Sequence, residues 1–129
     1  MTRVLLIEDD PALAQLTMIR LDKLQMDVFH ASNGQLALDY LDTHKPELIL
    51  LDLNIPYIDG WQVLEYAKQQ HGVGTFGVIV TTARKDMINR AKGDIEAVDQ
   101  YLVKPFTSDQ LLHAIDLVLQ KLEKTSDES

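Results

Sequence analysis

Acidic side chains follow two of the most apolar segments of the chain. Glu8, Asp9 and Asp10 come directly after the run VLLI. Asp52 comes directly after the run LILL. A carboxylate at the mouth of a buried strand loses solvation, which costs free energy unless a cation or a hydrogen-bond donor compensates. Carboxylates in these positions therefore indicate a functional site whose negative charge is balanced by a cation or a hydrogen-bond donor.

Two further apolar segments end in residues that suit the same site. Thr81 and Thr82 follow VIV, and Lys104-Pro105 follows QYLV. Taken singly, each of these is explained as a solvated strand end or a helix cap. Taken together, carboxylates, a lysine and a hydroxyl at successive strand ends predict a binding or catalytic site, because ligands of parallel α/β sheets bind outside the carboxyl ends of the strands.

The spacing of apolar residues predicts five short strands that alternate with five helices. The strand-like segments are VLLI, DVFHA, LILL, VIV and QYLV. Strands and helices in this alternation imply right-handed crossovers and a parallel sheet covered by helices on both faces. The helices are predicted to begin at Asp10-Pro11, at Ser32 or Asn33, after Asp59-Gly60, near residue 84 (running to 96), and at Thr107, which has Gln110 at capping-box spacing.

The composition fits a single globular domain. The chain has 129 residues, of which 46% are hydrophobic and 25% are charged. Its formal net charge of −8 argues against binding to nucleic acid or to an anionic membrane surface. The absence of cysteine excludes disulfides, thiolate metal sites and cysteine catalysis. The start MTRVLLIEDD is neither a signal peptide nor a membrane span, so we expect the cytoplasm.

The ordered motifs IEDDP, LLDLNIPYIDG, VTTA and YLVKPF resemble the receiver domain of two-component response regulators over about residues 3–122. The resemblance implies a flavodoxin-like (βα)5 fold with strand order 2-1-3-4-5. It divides the chain into a receiver domain at 1–122 and a polar C-terminal tail at 123–129.

The resemblance implies that Asp52 is a phosphoacceptor. It would take a phosphoryl group from the phosphohistidine of a sensor histidine kinase or phosphotransfer protein. Asp9, Asp52 and the main-chain carbonyl of Asn54 would ligate Mg²⁺, with Glu8 acting mostly through water. Close carboxylates repel one another, and a hard dication with oxygen ligands relieves that repulsion.

The resemblance also implies roles for three residues around this site. Lys104 would place a second cation against the phosphoryl oxygens, and a cis peptide to Pro105 would aim its side chain inward. Thr82 would be the hydroxyl residue of the switch, and Tyr101 the aromatic whose rotamer follows phosphorylation. The signal would leave through the face formed by the fourth helix, the fifth strand and the fifth helix.

The first helix is predicted to dock the kinase. At 100° per residue it carries two apolar stripes, although a surface helix needs only one to face a core. The stripe with Ala14, Thr17, Met18, Leu21 and Leu24 is expected to face the sheet. Leu13 and Leu16, on the other stripe, would then be exposed beside the acidic residues.

Three departures from the family pattern affect the expected output surface. Ala97-Val98 stands where receivers usually have a Gly-Ala pair, and Gly93 weakens the fourth helix. Gly77 stands where the family often has proline.

Arg84, two residues past Thr82, is expected to border the path of the water that attacks the phosphoryl group.

Alternative functions are weaker. A phosphatase of the haloacid-dehalogenase type needs an acid two residues after its aspartyl nucleophile, and Asn54 stands there. A degenerate receiver that acts only as a binding scaffold would not need the full set of acidic, hydroxyl and lysine residues. A flavodoxin is disfavoured because carboxylates would repel the cofactor's phosphate. The expected partners are therefore a kinase or phosphotransfer protein and a downstream protein or missing output domain, without direct nucleic-acid or membrane binding.

The histidines show no metal-ligand spacing and are expected at the surface. They are His30, His44, His71 and His113.

Overall fold

Five parallel strands form the centre of the computed structural model, which describes residues 2–72, 74–83 and 98–127. The strand order is β2-β1-β3-β4-β5, so the predicted order is confirmed. The strands are β1 (Arg3–Ile7), β2 (Asp27–Ala31), β3 (Leu48–Asp52), β4 (Gly77–Thr82) and β5 (Gln100–Val103).

Four helices lie within the described residues. They are α1 (Pro11–Lys23), α2 (Gly34–Thr43), α3 (Gly60–His71) and α4 (Ser108–Asp127). The helix predicted over 84–96, together with Arg84, Gly93 and Ala97, lies outside the described residues. Helix α4 continues into the segment predicted as a polar tail, and no described helix is long and apolar enough to cross a bilayer.

Side-chain caps set the starts of the helices, as the sequence predicts. Asp10 accepts hydrogen bonds from the main-chain N–H groups of Ala12 and Leu13, with Pro11 as the first residue of α1. Asn33 caps α2 through the N–H of Leu36. The other two caps are reciprocal pairs, Asp59 with Gln62 at α3 and Thr107 with Gln110 at α4. Each satisfies donors that a helix start leaves without intrahelical partners.

The core has two layers because successive strand residues point to opposite faces of the sheet. All five residues of β3 are buried, as expected for a central parallel strand. Residues such as Leu5, Ile49 and Val80 pack with α2 and α3 on one face. Residues such as Leu6, Leu50 and Ile79 pack with α1 and α4 on the other face.

Helix α4 packs closely against the sheet at Gly77, the first residue of β4. A Cβ atom built on Gly77 would lie 2.1 Å from Cγ1 of Val118, a separation that side chains cannot adopt. Val118 therefore occupies the space that any other residue at position 77 would fill. The packing of α4 therefore favours glycine at this position, where the sequence departs from the family pattern.

An ion pair joins the amino end of β5 to α4. Nζ of Lys121 lies 2.6 Å from Oδ1 of Asp99, while Oδ2 of Asp99 accepts a hydrogen bond of 2.8 Å from the N–H of Val78. The N–H of Asp99 also donates to the carbonyl of Val78, at 2.9 Å. Asp99 thus connects β4, β5 and α4 at the end of the sheet opposite Asp52.

Candidate functional site

The carboxyl ends of the strands bring the predicted acidic residues together. Carboxylate oxygens of Glu8, Asp9 and Asp52 lie within 4.8 Å of one another. Glu8 and Asp52 are 4% and 3% exposed, whereas Asp9 faces solvent. We call these three residues, with Lys104, the acidic pocket. Its geometry follows from the fold, because β1 and β3 are neighbours and both end at this edge.

Lys104 lies between the two buried carboxylates. Its Nζ is 2.6 Å from Oε1 of Glu8 and 2.9 Å from Oδ2 of Asp52, and its side chain is 17% exposed. The main-chain N–H of Lys104 donates to the carbonyl of Thr82 at 2.8 Å, which ties the β5–α4 loop to the end of β4. The peptide between Lys104 and Pro105 is cis, as predicted.

Main-chain donors hold the remaining carboxylate oxygens. The N–H of Asn54 donates to Oδ1 of Asp52 at 3.0 Å, and the N–H of Asp10 donates to Oε2 of Glu8 at 3.3 Å. Asp10 itself caps α1, as described above, so it supports the pocket through its backbone. Each buried carboxylate is therefore fixed by the loop that follows its own strand.

Burial and crowding give the two buried carboxyls opposite properties. Burial raises the pKa of Glu8 to about 7, and the neighbouring Asp52 adds to the rise more than Lys104 opposes it. Burial also tends to raise the pKa of Asp52, but hydrogen bonds from Glu8, Lys104 and the N–H of Asn54 outweigh it and lower that pKa below the usual value. Asp52 is therefore the ionised carboxylate of the pair near neutral pH, and Glu8 is partly protonated there.

The donor set of the acidic pocket fits a hard divalent cation. Its candidate ligand atoms are carboxylate oxygens from three residues, and oxygen is the ligand that Mg²⁺ and Ca²⁺ prefer. Three acidic residues outnumber the one lysine, so the pocket retains negative charge for a cation to balance even when Glu8 is protonated. Within 2–72, 74–83 and 98–127, no histidine or cysteine joins this cluster, which makes it unlike a zinc site.

Thr82 and Tyr101 share one face of the sheet. Val80 pairs with Tyr101 in the β4–β5 register, and Thr82 lies two residues beyond Val80 on the same side. Thr82 is fully buried at the end of β4, and the half-buried Tyr101 packs against the core layer formed with α2 and α3. Both Thr81 and Thr82 belong to β4 rather than following it, because the strand runs further than the sequence predicts.

Helix α1 places apolar side chains beside the pocket. Ala14, Thr17 and Leu21 are buried, so the predicted sheet-facing stripe is confirmed at these positions. Leu24 was assigned to the same stripe wrongly, since it caps the C-terminus of α1 and is 42% exposed. Leu16 is 44% exposed and Leu13 is half-buried. These two line a shallow groove with Asp10, Arg20, Ala83, Lys104, Pro105 and Phe106.

Two histidines are less exposed than the sequence predicts. His30 and His71 are half-buried, while His44 and His113 are at the surface. Nε2 of His30 lies 2.8 Å from the carbonyl oxygen of Glu8, and Nε2 of His71 lies 3.0 Å from that of Leu41. The contact of His30 with the acidic pocket was missed. Its position near the end of β2, the strand that neighbours β1, was the available signal.

Fold and site together define an α/β domain of the CheY-like class. The match with a CheY-like receiver domain from Methanospirillum hungatei has a TM-score of 0.85 at 25% identity, covering 100% of this chain and 99% of that one. The response regulator TrrA of Thermotoga maritima, solved in complex with Mg²⁺-BeF, matches with a TM-score of 0.78 at 26% identity. That match covers 92% of this chain and 99% of TrrA.

The chain belongs to the response regulator receiver domain family, whose model matches residues 4–116. It is 32% identical over 124 residues to a probable transcriptional regulator, ycf27, of Porphyridium aerugineum, covering 96% of this chain and 50% of the relative. It is 30% identical to the DNA-binding regulator RpaA of Synechocystis, covering 96% of this chain and 52% of the relative. The chain thus spans about half the length of the curated relatives it matches. It is a signalling domain of two-component systems.

Proposed function

We propose that the chain accepts a phosphoryl group on Asp52 from a phosphohistidine of a partner sensor histidine kinase or phosphotransfer protein. The observation that carries this proposal is the environment of Asp52, a carboxylate that is 3% exposed and 2.9 Å from Nζ of Lys104. Its lowered pKa keeps it ionised at neutral pH, as a nucleophile must be. The partner and its phosphohistidine are inferred from the family.

In the proposed reaction, a carboxylate oxygen of Asp52 attacks the phosphorus atom of phosphohistidine. A phosphorus–oxygen bond forms while the phosphorus–nitrogen bond breaks, and the leaving imidazole keeps the electron pair and takes a proton from water. Lys104 would move its charge from the carboxylates to the phosphoryl oxygens as negative charge builds there. The N–H of Asn54 holds the other oxygen of Asp52 and so fixes the attacking group.

The acidic pocket is proposed to hold Mg²⁺. Asp9, Asp52 and the main-chain carbonyl of Asn54 would ligate it, with Glu8 acting through water. A bound Mg²⁺ would supply positive charge to the phosphoryl oxygens and offset the repulsion among the carboxylates. Glu8, whose pKa is raised to about 7, would lose its proton when a cation binds, so metal binding would release a proton near neutral pH.

Phosphorylation is proposed to switch the face that includes β5 and α4. Thr82 would turn its hydroxyl toward the phosphoryl group, and Tyr101 would follow by moving inward. Thr82 and Tyr101 lie on the same side of the sheet, and β4 and β5 are paired neighbours, which supports this coupling. The fourth helix of the family, which would complete this face, falls on residues outside the described ranges.

Leu13 and Leu16 are proposed to dock the kinase or phosphotransfer protein. Leu16 is exposed, and both side chains line the groove beside Lys104. An apolar surface next to the phosphoacceptor suits a partner that must bring its phosphohistidine to Asp52.

The output is proposed to be a downstream protein or an additional output domain, as in the longer regulators that the chain matches. The site of action is proposed to be the cytoplasm.

The test of the phosphoacceptor is intact-mass spectrometry after incubation with Mg²⁺ and acetyl phosphate. The parent protein should gain the mass of one phosphoryl group, and Asp52→Asn should gain none. Asp99→Asn is the matched control, because Asp99 is another poorly exposed carboxylate paired with a lysine, and it should label like the parent. Labelling of Asp52→Asn to the same extent as the parent would overturn the assignment.

A further inference from the structure

We propose that His30 is a positioning residue of the acidic pocket, which holds the main chain at Glu8 in the place that a divalent cation requires. The inference rests on the proposed function, because it concerns the same metal site. His30 is not among the residues that the family resemblance assigns to this site. Its hydrogen bond reaches the site at the main-chain carbonyl of Glu8 rather than at a carboxylate.

The contact between His30 and Glu8 has a defined chemistry. Nε2 of His30 is 2.8 Å from the carbonyl oxygen of Glu8. A carbonyl oxygen only accepts hydrogen bonds, so the imidazole must donate, and the proton therefore lies on Nε2. The half-buried ring thus binds one specific main-chain atom of the loop that carries Glu8 and Asp9.

The location of this contact explains why it matters for the pocket. The paired register of β1 and β2 ends at Ile7 and Ala31, and Glu8 is the next residue. The N–H of Glu8 still donates to the carbonyl of Ala31, at 3.1 Å. His30 binds the other main-chain polar group of Glu8, so both are held by β2 after the strand pairing has ended.

Holding both main-chain groups of Glu8 restricts its side chain and the residue that follows. Glu8 is 4% exposed and makes its 2.6 Å ion pair with Lys104 from this fixed backbone. Asp9 is bonded directly to it and supplies the exposed carboxylate of the cluster. Outer hydrogen bonds that orient ligands typically change metal affinity by about 10–100-fold when removed. A contact that acts through the backbone should have a smaller effect, about 3–10-fold.

His71 provides a matched control within the same chain. It is also half-buried, and its Nε2 lies 3.0 Å from the carbonyl oxygen of Leu41. This contact joins the end of α3 to α2 and involves no residue of the acidic pocket. Loss of either imidazole removes one similar hydrogen bond, so the two variants should lose similar stability and differ only in their effect on the metal site.

The experiment is isothermal titration of MgCl2 into the parent, His30→Ala, His30→Gln and His71→Ala proteins, with a thermal melt of each. We expect His30→Ala to raise the dissociation constant for Mg²⁺ about 3–10-fold. His30→Gln should stay within about twofold of the parent, because its amide N–H can donate to the same carbonyl. His71→Ala should also bind Mg²⁺ like the parent, although its melting temperature falls as that of His30→Ala does.

Three results would overturn the inference or its foundation. Equal Mg²⁺ affinity in His30→Ala and the parent would show that His30 does not position the site. An equal loss in His71→Ala would show that any loosening of the fold weakens the site. Absence of Mg²⁺ binding in the parent would instead refute the metal site of the proposed function. If His30→Ala does not fold, His30→Asn replaces it. The side chain of asparagine is one methylene shorter than that of glutamine, so its amide should not reach the carbonyl oxygen of Glu8.

Discussion

Lysines bind carboxylates at both ends of the sheet, and the two arrangements differ in how charge is balanced. At the amino end, Lys121 pairs with Asp99, whose second oxygen accepts the N–H of Val78. At the carboxyl end, Lys104 contacts both Glu8 and Asp52, and the carboxylate of Asp9 lies in the same cluster. The first arrangement pairs one carboxylate with one lysine. The second shares one lysine between two buried carboxylates, with a third carboxylate beside them.

We propose that this difference separates a carboxylate that stabilises the fold from carboxylates that are available to a ligand. Asp99 joins neighbouring elements, and its removal should weaken the fold. Asp52 shares its cation with Glu8, and its proximity is one cause of the raised pKa of Glu8, so the two carboxyls are crowded in the metal-free fold. A buried acid that shares its counter-cation with other acids is therefore a better sign of function than a buried acid as such. The comparison can be tested by making the same substitution at both ends.

The largest difference between the two ends of the sheet is expected in the rate of phosphorylation when each lysine is replaced by methionine. Methionine keeps most of the side-chain length without the charge. Lys104→Met should slow labelling of Asp52 by acetyl phosphate on the order of 100-fold, because positive charge near the phosphoryl oxygens is lost. Lys121→Met should label within about twofold of the parent rate. The rates are measured by intact mass over time, and equal rates in the two variants would remove the proposed role of Lys104.

Replacing aspartate by asparagine should change stability in opposite directions at the two ends. In EDTA, Asp52→Asn should stabilise the protein by about 1–2 kcal/mol, because it removes one of the crowded charges. Asp99→Asn should destabilise it by about 1 kcal/mol, because it removes an ion pair with a poorly exposed carboxylate. Chemical denaturation or thermal melts give both values.

Magnesium should then reduce the difference in stability between the parent protein and Asp52→Asn. About 10 mM Mg²⁺ should stabilise the parent and Asp99→Asn through binding linkage, and Asp52→Asn much less. The melting temperatures of the parent and Asp52→Asn should converge as Mg²⁺ is added. If Asp52→Asn is destabilising in EDTA and Mg²⁺ stabilises neither protein, Asp52 is a structural carboxylate like Asp99.

A smaller effect is expected in the pH dependence of the Asp52→Asn stabilisation. The folded pKa of Glu8, about 7, lies above its value of 4.5 without the fold. The protonated form therefore contributes stability that is complete below pH 4.5 and is lost as the pH rises through 7. The neighbouring Asp52 is one cause of that raised pKa, so Asp52→Asn should lose less stability over this range than the parent.

The stabilising effect of Asp52→Asn should consequently be greater at pH 8 than at pH 5.5, by no more than about 1–2 kcal/mol. Urea denaturation of both proteins in EDTA at the two pH values gives the difference. In a Glu8→Gln background the same comparison should show little change with pH. A pH dependence that persists without Glu8 would assign the effect to another group.

The smallest effect is expected from Lys121→Met on stability. The side chain of Lys121 is 67% exposed, so solvent screens its interaction with Asp99 even though the two atoms are 2.6 Å apart. The loss should be below about 1 kcal/mol, and it should shrink further in 1 M KCl. Thermal melts at low and high salt measure it. A loss well above this, unaffected by salt, would show that the pair is effectively buried.

Much of the site was predictable because it depends on local sequence and on one rule of sheet topology. The run LILL followed by Asp52 identifies a buried strand and the end at which the candidate site lies, and parallel strands place all such ends at one edge. The caps at Asp10 and Thr107 were predictable for the same reason, since a cap contacts residues only two or three positions away. These features need no knowledge of distant contacts.

The features that were not predicted all depend on residues far apart in the chain. Asp99 and Lys121 are 22 positions apart, as are Glu8 and His30, and neither pair forms a pattern within a segment. The burial of Leu24 was predicted wrongly, because helical periodicity says nothing about where the partner surface ends. The extent of β4 through Thr82 also depends on β5, whose pairing at Val103 continues the strand.

The contact of Gly77 with Val118 has a consequence for how this sequence can diverge. A proline or alanine at position 77 would collide with the side chain at position 118, whereas a smaller residue at 118 would leave an empty space beside a glycine. Single changes at either position are therefore disfavoured, and a change in both is needed to reach the proline common at this place in the family. Substitutions at the two positions should accordingly be correlated among the relatives of this protein.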